Sequence, residues 1–314
     1  MGDTSRAGGV APLAVPRLLL RQRVLVALLR AFGGEVGDRD FQKLLFLFGL
    51  HRQKGGGTPP YDFIPHSQGA FSFTASADRD KLVRRGILAD GDAWHLTPAG
   101  DQVAASFANR HTTLFALRNW DLRGDALVAE TYRRSPYHAS RSGIVNRVLQ
   151  DDPATRERLA AARSIRPAGP LVTVGYEGRS YEGYFNALWQ VHVSRLCDVR
   201  RSPTSRKWGF SKRTLADGCR QLGIKYESLP ELGIASERRA DLNGAPDYDR
   251  LFDDYEATTL KEETGALDRI LTWINGGDRV ALTCYERDFR ECHRSRVASA
   301  IAARSSRPFL PKHL

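Results

Sequence analysis

Apolar positions recur at helical spacing in the first half of the chain, whereas short apolar runs alternate with helical patterns in the second half. Residues 17–32 predict a helix that ends at a Gly-Gly pair. A second helix follows over FQKLLFLFGLHRQ and ends before the breaker GGGTPP (55–60). A third helix is predicted from Ala77 to Arg85. Residues 86–96 then predict two short strands around an Asp-Gly-Asp turn.

Helices followed by a hairpin are the element order of a winged helix, so residues 17–102 predict a winged-helix-like domain. Residues 1–16 are rich in Gly, Ala and Pro, and we expect a disordered tail there. Residues 103–165 predict a helical extension. The segment SIRPAGP (164–170) is typical of a linker.

Strands and helices alternate after this linker, which predicts an α/β domain with a mainly parallel, Rossmann-like sheet over residues 170–314. Ligands of such sheets bind outside the carboxyl ends of the strands. Polar segments follow three of the predicted strands, at residues 175–180, 198–203 and 284–295. We therefore expect these segments to converge on one site.

Composition narrows the classes of protein that need to be considered. No apolar run reaches the roughly 18 residues that a membrane helix requires, and no secretory signal is evident. Four cysteines in 314 residues do not make a disulfide framework, so we expect reduced thiols and a cytoplasmic protein with no membrane partner. The net charge is +11; residues 1–170 contribute +8 and residues 171–314 contribute +3. This basic balance favours a nucleic-acid partner, while arginine enrichment in a GC-rich genome would produce the same balance.

Cationic side chains interleaved with aromatic rings are typical of nucleic-acid contacts, because guanidinium groups bind phosphates and rings stack on bases. Solvated helix ends and loops would explain the same residues. The loop after the second strand of the α/β domain is the strongest example, with Trp208 and Phe210 set among cations. The predicted nucleic-acid-binding residues are Arg84, Arg85, Arg133, Arg134, Arg141, Arg206, Lys207, Trp208, Phe210, Lys212 and Arg213.

Four motifs occur in order in the second half: TVGYEGRS, CDVRRSPTSRKWGFSK, LPELG and LTCYERDFRECHRSRVA. Over roughly residues 171–300 they resemble the domain of unknown function 488 family (DUF488). The preceding half is similar to the helical, winged-helix-like extension that some members carry. The resemblance implies a Rossmann-like α/β fold but no particular reaction.

The reaction therefore has to be inferred from the residues at the predicted strand ends. Glu177 and Glu286 are candidate catalytic carboxylates, one as base and one as electrostatic stabiliser. Asp198 is a further candidate, or else the structural anchor of Arg200 or Arg294. His293 precedes a predicted helix and is expected to polarise a leaving group. The predicted substrate-binding residues are Tyr176, Arg179, Arg200, Arg201, Cys284, Tyr285, Cys292 and Arg294.

Paired carboxylates without an evident metal cluster favour cleavage of an N-glycosidic bond. The leading hypothesis is a metal-independent, cofactor-free DNA glycosylase that acts on a modified or damaged base, in repair or in defence against phages. Its partner would be double-stranded DNA with one nucleotide flipped into the pocket, and Trp208 or Phe210 would fill the gap.

Three alternatives stay open. The first is a winged-helix regulator whose α/β domain binds a nucleotide-like ligand. The second is a rhodanese-like or phosphatase-like thiol enzyme, because Cys284 and Arg290 have C-x5-R spacing. The third is a metal-dependent nuclease that uses Glu177, Asp198 and Glu286. A zinc site would lack a fourth ligand, since C-x7-C-H matches no common zinc spacing. A homodimer is also left open.

Overall fold

The computed structural model describes residues 17–163, 169–235 and 245–314. The predicted tail at 1–16 and residues 164–168 of the predicted linker lie outside the described residues. The described chain divides into two compact units. Unit 1 comprises residues 17–61 and 75–128, and unit 2 comprises residues 62–74 and 129 onward.

The helices and strands follow the chain in this order: α1 (Leu20–Ala31), β1 (Glu35–Gly37), α2 (Asp38–Lys54), β2 (Ile64–His66), β3 (Gly69–Phe71), α3 (Phe73–Arg84), β4 (Ala93–His95), α4 (Pro98–Ala105), α5 (Arg110–Arg118), α6 (Gly124–Arg134), α7 (Val145–Val148), α8 (Pro153–Arg163), β5 (Leu171–Gly175), α9 (Tyr181–Gln190), β6 (Arg195–Asp198), α10 (Lys212–Gln221), β7 (Lys225–Ser228), α11 (Ala245–Ala257), α12 (Thr259–Glu262), α13 (Thr264–Asn275), β8 (Val280–Cys284), α14 (Arg294–Arg304) and β9 (Lys312–His313). Short 3-10 turns lie at Pro136–Ala139, Pro230–Leu232 and Phe289–Glu291. Within the described residues, no helix has the length and apolar character needed to cross a bilayer.

Unit 1 is mainly helical and contains a small antiparallel sheet. In this sheet β1 pairs with β4, and Val36 lies opposite Trp94. An isolated bridge joins Leu88 to Leu96 across the predicted Asp-Gly-Asp turn. Trp94 is fully buried and donates a hydrogen bond from Nε1 to Asp38. These elements agree with the predicted helices and turn, and the winged-helix assignment itself stays a prediction.

Unit 2 is built around a five-stranded parallel sheet with the strand order β7-β6-β8-β5-β9. Gly175 at the end of β5 pairs in register with Cys284 at the end of β8, and Asp198 at the end of β6 pairs with Thr283. The predicted mainly parallel α/β fold is therefore confirmed. The carboxyl ends of β5, β6 and β8 meet at one edge of the sheet.

Both faces of this sheet are covered by helices, which makes unit 2 a three-layer α/β structure. One core contains residues of α11, α13 and α14 packed on the sheet, including Phe252, Tyr255 and Ile270. The other contains residues of α9 and α10, including Tyr184 and Phe185. Strands buried on both faces read as continuous apolar runs, which is why LVTVG and VALTC were recognisable in the sequence.

Candidate functional site

The carboxyl ends of β5 and β8 approach closely because glycine stands at the end of β5. A Cβ atom on Gly175 would collide with the backbone carbonyl of Glu286. Gly233, in the LPELG motif, has the same function beside Arg201, whose backbone nitrogen a Cβ would strike. The two glycines therefore permit close backbone approach between residues 175 and 286 and between residues 233 and 201, while the register of the parallel strands places the three predicted polar segments at one edge.

Asp198, at the end of β6, is an anchor for Arg200. Its carboxylate is fully buried and accepts hydrogen bonds from Arg200 Nε at 2.8 Å and Nη2 at 2.6 Å. Tyr226 donates its hydroxyl to the same carboxylate at 2.7 Å. Burial alone would lower the pKa of Arg200. The hydrogen bonds and the ion pair with Asp198 outweigh this effect, so the pKa of Arg200 is raised. Of the two roles predicted for Asp198, the geometry matches the structural pair with Arg200.

Arg200 in turn hydrogen-bonds to two aromatic residues of the site, Tyr176 and Phe210. Its Nη1 donates to the hydroxyl of Tyr176 at 3.0 Å and to the carbonyl of Phe210 at 2.9 Å. The rings of Tyr176 and Phe210 stack with centroids 4.4 Å apart. Phe210 is completely buried, so the expectation that it is an exposed base-contacting ring is wrong. Packing against Tyr176 and Tyr184 places it in the core instead.

Two thiols and one imidazole gather at the end of β8. His293 Nδ1 lies 3.9 Å from Cys284 Sγ and 3.9 Å from Cys292 Sγ, and the three ligand atoms all lie within 4.8 Å of one another. His293 Nε2 donates to the carbonyl of Val199 at 2.9 Å, and the other ring nitrogen, Nδ1, faces the two sulfurs. All three side chains are buried. Burial, followed by the neighbouring Cys284 thiol, raises the pKa of Cys292 well above its usual range.

Glu286 adjoins this Cys-Cys-His cluster. Its Oε2 accepts a hydrogen bond from Cys284 Sγ at 3.1 Å. The loop that carries Glu286 is held by Arg294, which is completely buried and donates from Nη1 to the Glu286 carbonyl at 2.7 Å and from Nη2 to the Arg287 carbonyl at 3.1 Å. Arg294 therefore shapes the loop, and these two nitrogens are committed to the backbone rather than to a substrate phosphate.

A cavity of about 180 Å³ opens beside the cluster. Its lining combines reactive, aromatic and cationic side chains: Tyr176, Arg200, Arg201, Ser202, Thr204, Ile234, Cys284, Tyr285 and His293. Arg201, Ser202 and Thr204 are exposed, so they form the polar rim. The deeper wall contains Cys284 and His293, which are buried. Most of the predicted substrate-binding residues of this edge thus meet around one cavity.

Glu177 lies in the turn after β5, close to Tyr285. Its Oε2 accepts the backbone N–H of Arg287 at 2.9 Å, and its own N–H donates to the Tyr285 carbonyl at 2.9 Å. The negative charge of Glu177 raises the pKa of Tyr285. Arg179 is half-buried, and burial followed by the charge of Arg287 lowers its pKa. Neither Glu177 nor Arg179 is among the side chains that line the cavity.

The loop between β6 and α10 exposes cations next to the cavity rim. Arg201 and Arg206 are exposed in the loop itself, and Lys212 and Arg213 are exposed in the first turn of α10. Trp208 is 40% exposed and its ring lies 5.1 Å from that of Tyr181. Lys207 instead donates from Nζ to the Tyr176 carbonyl at 2.9 Å. Burial lowers the pKa of Lys207, against the opposing effect of Glu177.

The remaining predicted nucleic-acid-binding residues divide into two kinds. Arg84 and Arg85, at the end of α3, are exposed. Arg133 pairs with Asp152 and Arg134 with Glu130. Arg141 donates to the Leu222 carbonyl and lies over the Trp189 ring, 4.4 Å from its centroid. The contacts of Arg133, Arg134 and Arg141 account for them without a ligand.

Two of the alternative functions, the thiol enzyme and the metal-dependent nuclease, each depend on a residue whose contacts in the structure do not fit that role. The guanidinium of Arg290 is exposed and pairs with Asp288, so the C-x5-R spacing does not produce an arginine bound over Cys284. The thiol of Cys284 faces a carboxylate, whereas a reactive thiolate is usually favoured by positive neighbours. Asp198 is occupied by Arg200 and Tyr226, which removes it from a set of magnesium ligands.

Several hydrogen-bonding groups of unit 2, some of them at the site, were absent from the sequence-based prediction. Tyr226 and the carbonyl of Val199 act through hydrogen bonds to Asp198 and His293, and nothing in the local pattern marks them. The buried carboxylate of Glu182, on α9, accepts hydrogen bonds from Ser72 and Thr74. The partner residues lie more than 100 positions away, so sequence periodicity could not reveal the pairing.

Comparison with known proteins agrees with the resemblance noted from the motifs. Residues 180–301 match the model of a family described as "Domain of unknown function DUF488". The description names a domain and no activity. No curated protein and no solved structure matches the chain. The reaction therefore has to be argued from the geometry.

Proposed function

We propose that this protein is a hydrolase that acts on one nucleobase of a nucleic acid, held in the cavity at the carboxyl edge of the sheet. The observation that carries the proposal is the composition of this cavity. Its wall brings the phenolic rings of Tyr176 and Tyr285 together with the Cys284 thiol and the His293 imidazole. A volume of 180 Å³ equals that of about six waters, which is enough for one heteroaromatic base.

The rim of the cavity supports a nucleotide as the ligand. Arg201 is exposed beside Ser202 and Thr204, and guanidinium and hydroxyl groups are suitable donors to a backbone phosphate. A base inside the cavity with its phosphate at the rim is the arrangement that base-flipping enzymes use. Trp208, which is partly exposed on the same loop, is then available to stack on a neighbouring base.

Polyanion binding is supported by the charge distribution. The chain carries a net charge of +11, and exposed cations occur in the β6–α10 loop as well as at the end of α3. We therefore propose DNA as the partner, with the exposed cations of each unit bound to phosphates.

The bond that we expect to be cleaved is the N-glycosidic bond. Glu286 is the carboxylate best placed to act, because its Oε2 lies 3.1 Å from the thiol of Cys284 in the cavity wall. It would orient the attacking water or stabilise the oxocarbenium-like sugar. Glu177, which interacts with Tyr285, would act at the mouth of the cavity rather than at the bond.

The test is incubation of the full chain, without chelator, with double-stranded and single-stranded DNA that includes DNA with modified bases. Mass spectrometry of the small-molecule fraction and of digested nucleosides identifies any change in a base. We expect a released base and alkali-labile abasic sites. Glu286→Gln should lower the rate at least about 10²-fold, and Glu291→Gln, an exposed glutamate five residues away, should not.

Unchanged nucleosides in DNA that the protein nevertheless binds would overturn the hydrolase proposal and favour the regulator. Strand breaks without prior base loss would overturn it in favour of a nuclease.

A further inference from the structure

The Cys-Cys-His cluster of Cys284, Cys292 and His293 has no part yet in the proposed chemistry, except that Cys284 and His293 line the cavity. Three ligand atoms of types that bind zinc lie within 4.8 Å of one another, and all three residues are buried. We propose that this cluster binds one Zn²⁺ ion, with both sulfurs and His293 Nδ1 as ligands.

The geometry around the imidazole carries this inference. Both sulfurs lie 3.9 Å from Nδ1, and the Cys284 thiol also donates to Glu286. A hydrogen bond joins only two of the three atoms of the cluster, whereas a cation placed between them would contact all three. Zinc–sulfur bonds of about 2.3 Å and zinc–nitrogen bonds of about 2.0 Å in a tetrahedron separate the ligand atoms by less than 4 Å, close to the 3.9 Å between Nδ1 and each sulfur.

The second coordination sphere also fits a metal ligand. His293 Nε2 donates to the carbonyl of Val199 at 2.9 Å. Zinc-bound histidines almost always donate their other ring nitrogen in this way, which fixes the tautomer and the ring orientation. The loop between the two cysteines is in turn fixed by the buried Arg294, through the carbonyls of Glu286 and Arg287.

Three protein ligands leave a fourth position, and the cavity supplies it. Cys284 and His293 line the cavity, so a water molecule from that side completes the tetrahedron. This arrangement, with three protein ligands and one water, is typical of catalytic rather than structural zinc. The C-x7-C-H spacing does not match the common structural zinc sites because those sites take all four ligands from the protein.

Glu286 is then placed to receive a proton. Its Oε2 lies 3.1 Å from Cys284 Sγ, next to the proposed ion. A zinc ion held by the cluster would make a bound water more acidic, and Glu286 would be the carboxylate placed to accept its proton. The catalytic role of the ion rests on the proposed function, whereas its binding does not.

The experiment measures metal content and coordination without relying on activity. The full chain, purified without chelator, is analysed for zinc by mass spectrometry, and metal-free protein is titrated with Co²⁺. We expect one zinc per chain and the absorption bands of tetrahedral, thiolate-bound Co²⁺. Cys292→Ser should weaken zinc binding at least about 10-fold to 100-fold, whereas Cys219→Ser, the same change at a buried thiol on α10, should not.

A measurement on the wild type alone guards against misfolding of the variants. Bound zinc should protect Cys284 and Cys292 from alkylation relative to the metal-free native protein. The absence of zinc, of thiolate-bound Co²⁺ bands and of this protection would overturn the inference. Zinc binding without release of a base from DNA would overturn the proposed function alone. Release of a base by the zinc-free protein would overturn the catalytic role of the metal.

Discussion

The role of Asp198 as the anchor of Arg200 can be tested by replacing Asp198 with asparagine. The carboxylate is fully buried and its Oδ2 accepts from Arg200 Nη2 at 2.6 Å and from the Tyr226 hydroxyl at 2.7 Å. An amide keeps one oxygen acceptor and replaces the other with a donor, so the hydrogen bonds accepted by one of the two carboxylate oxygens are lost. The Arg200 guanidinium, whose side chain is only 6% exposed, then has no buried counter-charge.

The expected cost follows from these contacts. A hydrogen bond to a charged group contributes about 1.5–3 kcal/mol, and the bond from Tyr226 adds a similar amount. Breaking one partner of a buried ion pair costs about 3–5 kcal/mol in total. Asp198→Asn should therefore lower the free energy of unfolding of unit 2 by about 4 kcal/mol. With a slope of about 2 kcal/mol per molar urea, the midpoint falls by about 2 M.

The assay is urea unfolding followed by circular dichroism, with hydrogen exchange at β6 to assign the transition to unit 2. The matched control is Asp268→Asn, which breaks an exposed pair with Arg304 and should cost at most about 1 kcal/mol. If Asp198→Asn is no more destabilising than Asp268→Asn, the buried pair is not the anchor described here, and the ordering of Tyr176 through Arg200 has to be explained otherwise.

Three further predictions concern the backbone, the charge and the pH dependence. Gly175→Ala should abolish the native site, because the new Cβ strikes the Glu286 carbonyl; loss of zinc binding checks this. The Arg84→Gln plus Arg85→Gln double variant should weaken DNA binding and lower the slope of log affinity against log salt by up to about 2, which Arg134→Gln should not do. Burial lowers the pKa of Lys43 to about 8 from its ordinary value of 10.5. Because a depressed lysine costs stability at low pH, the free energy of unfolding should rise by about 3 kcal/mol between pH 8 and 10.5, and Lys43→Met should remove that rise.

The parallel sheet was predictable because its central strands leave a clear pattern. The runs LVTVG and VALTC are buried on both faces and end in polar segments, so both the strands and the edge that gathers those segments followed from the sequence. β9 was not predicted from the sequence. It consists of only two residues, Lys312 and His313, which show no periodicity and form a strand only through their pairing with β5. The helix α11 also received no prediction.

The side chains of the site were predicted less well than its location. Phe210 follows an exposed tryptophan and stands among cations, yet it is buried because Tyr176 and Tyr184 pack on it from elements distant in sequence. Asp198 and Arg294 are equally ambiguous in the sequence. Only the structure shows that one binds Arg200 and the other the backbone of a loop.

The cluster of cysteines and histidine shows the same limit most clearly. Seven residues separate Cys284 from Cys292, and that spacing does not say whether the loop closes. It closes because Arg294 binds two of the loop carbonyls and because His293 is oriented by the carbonyl of Val199, the residue after β6. The contact between His293 and Val199 joins residues 94 positions apart, so no local motif can encode it.

The central claim is that the cavity beside Cys284 and His293 hydrolyses a bond of a bound nucleobase. The most direct measurement is mass spectrometry of the bases and nucleosides after DNA with modified bases has been incubated with the wild type and with Glu286→Gln. The account predicts a released base with the wild type and at least about 100-fold less with the variant. Equal products from both proteins, or DNA that is bound with every base intact, would contradict it.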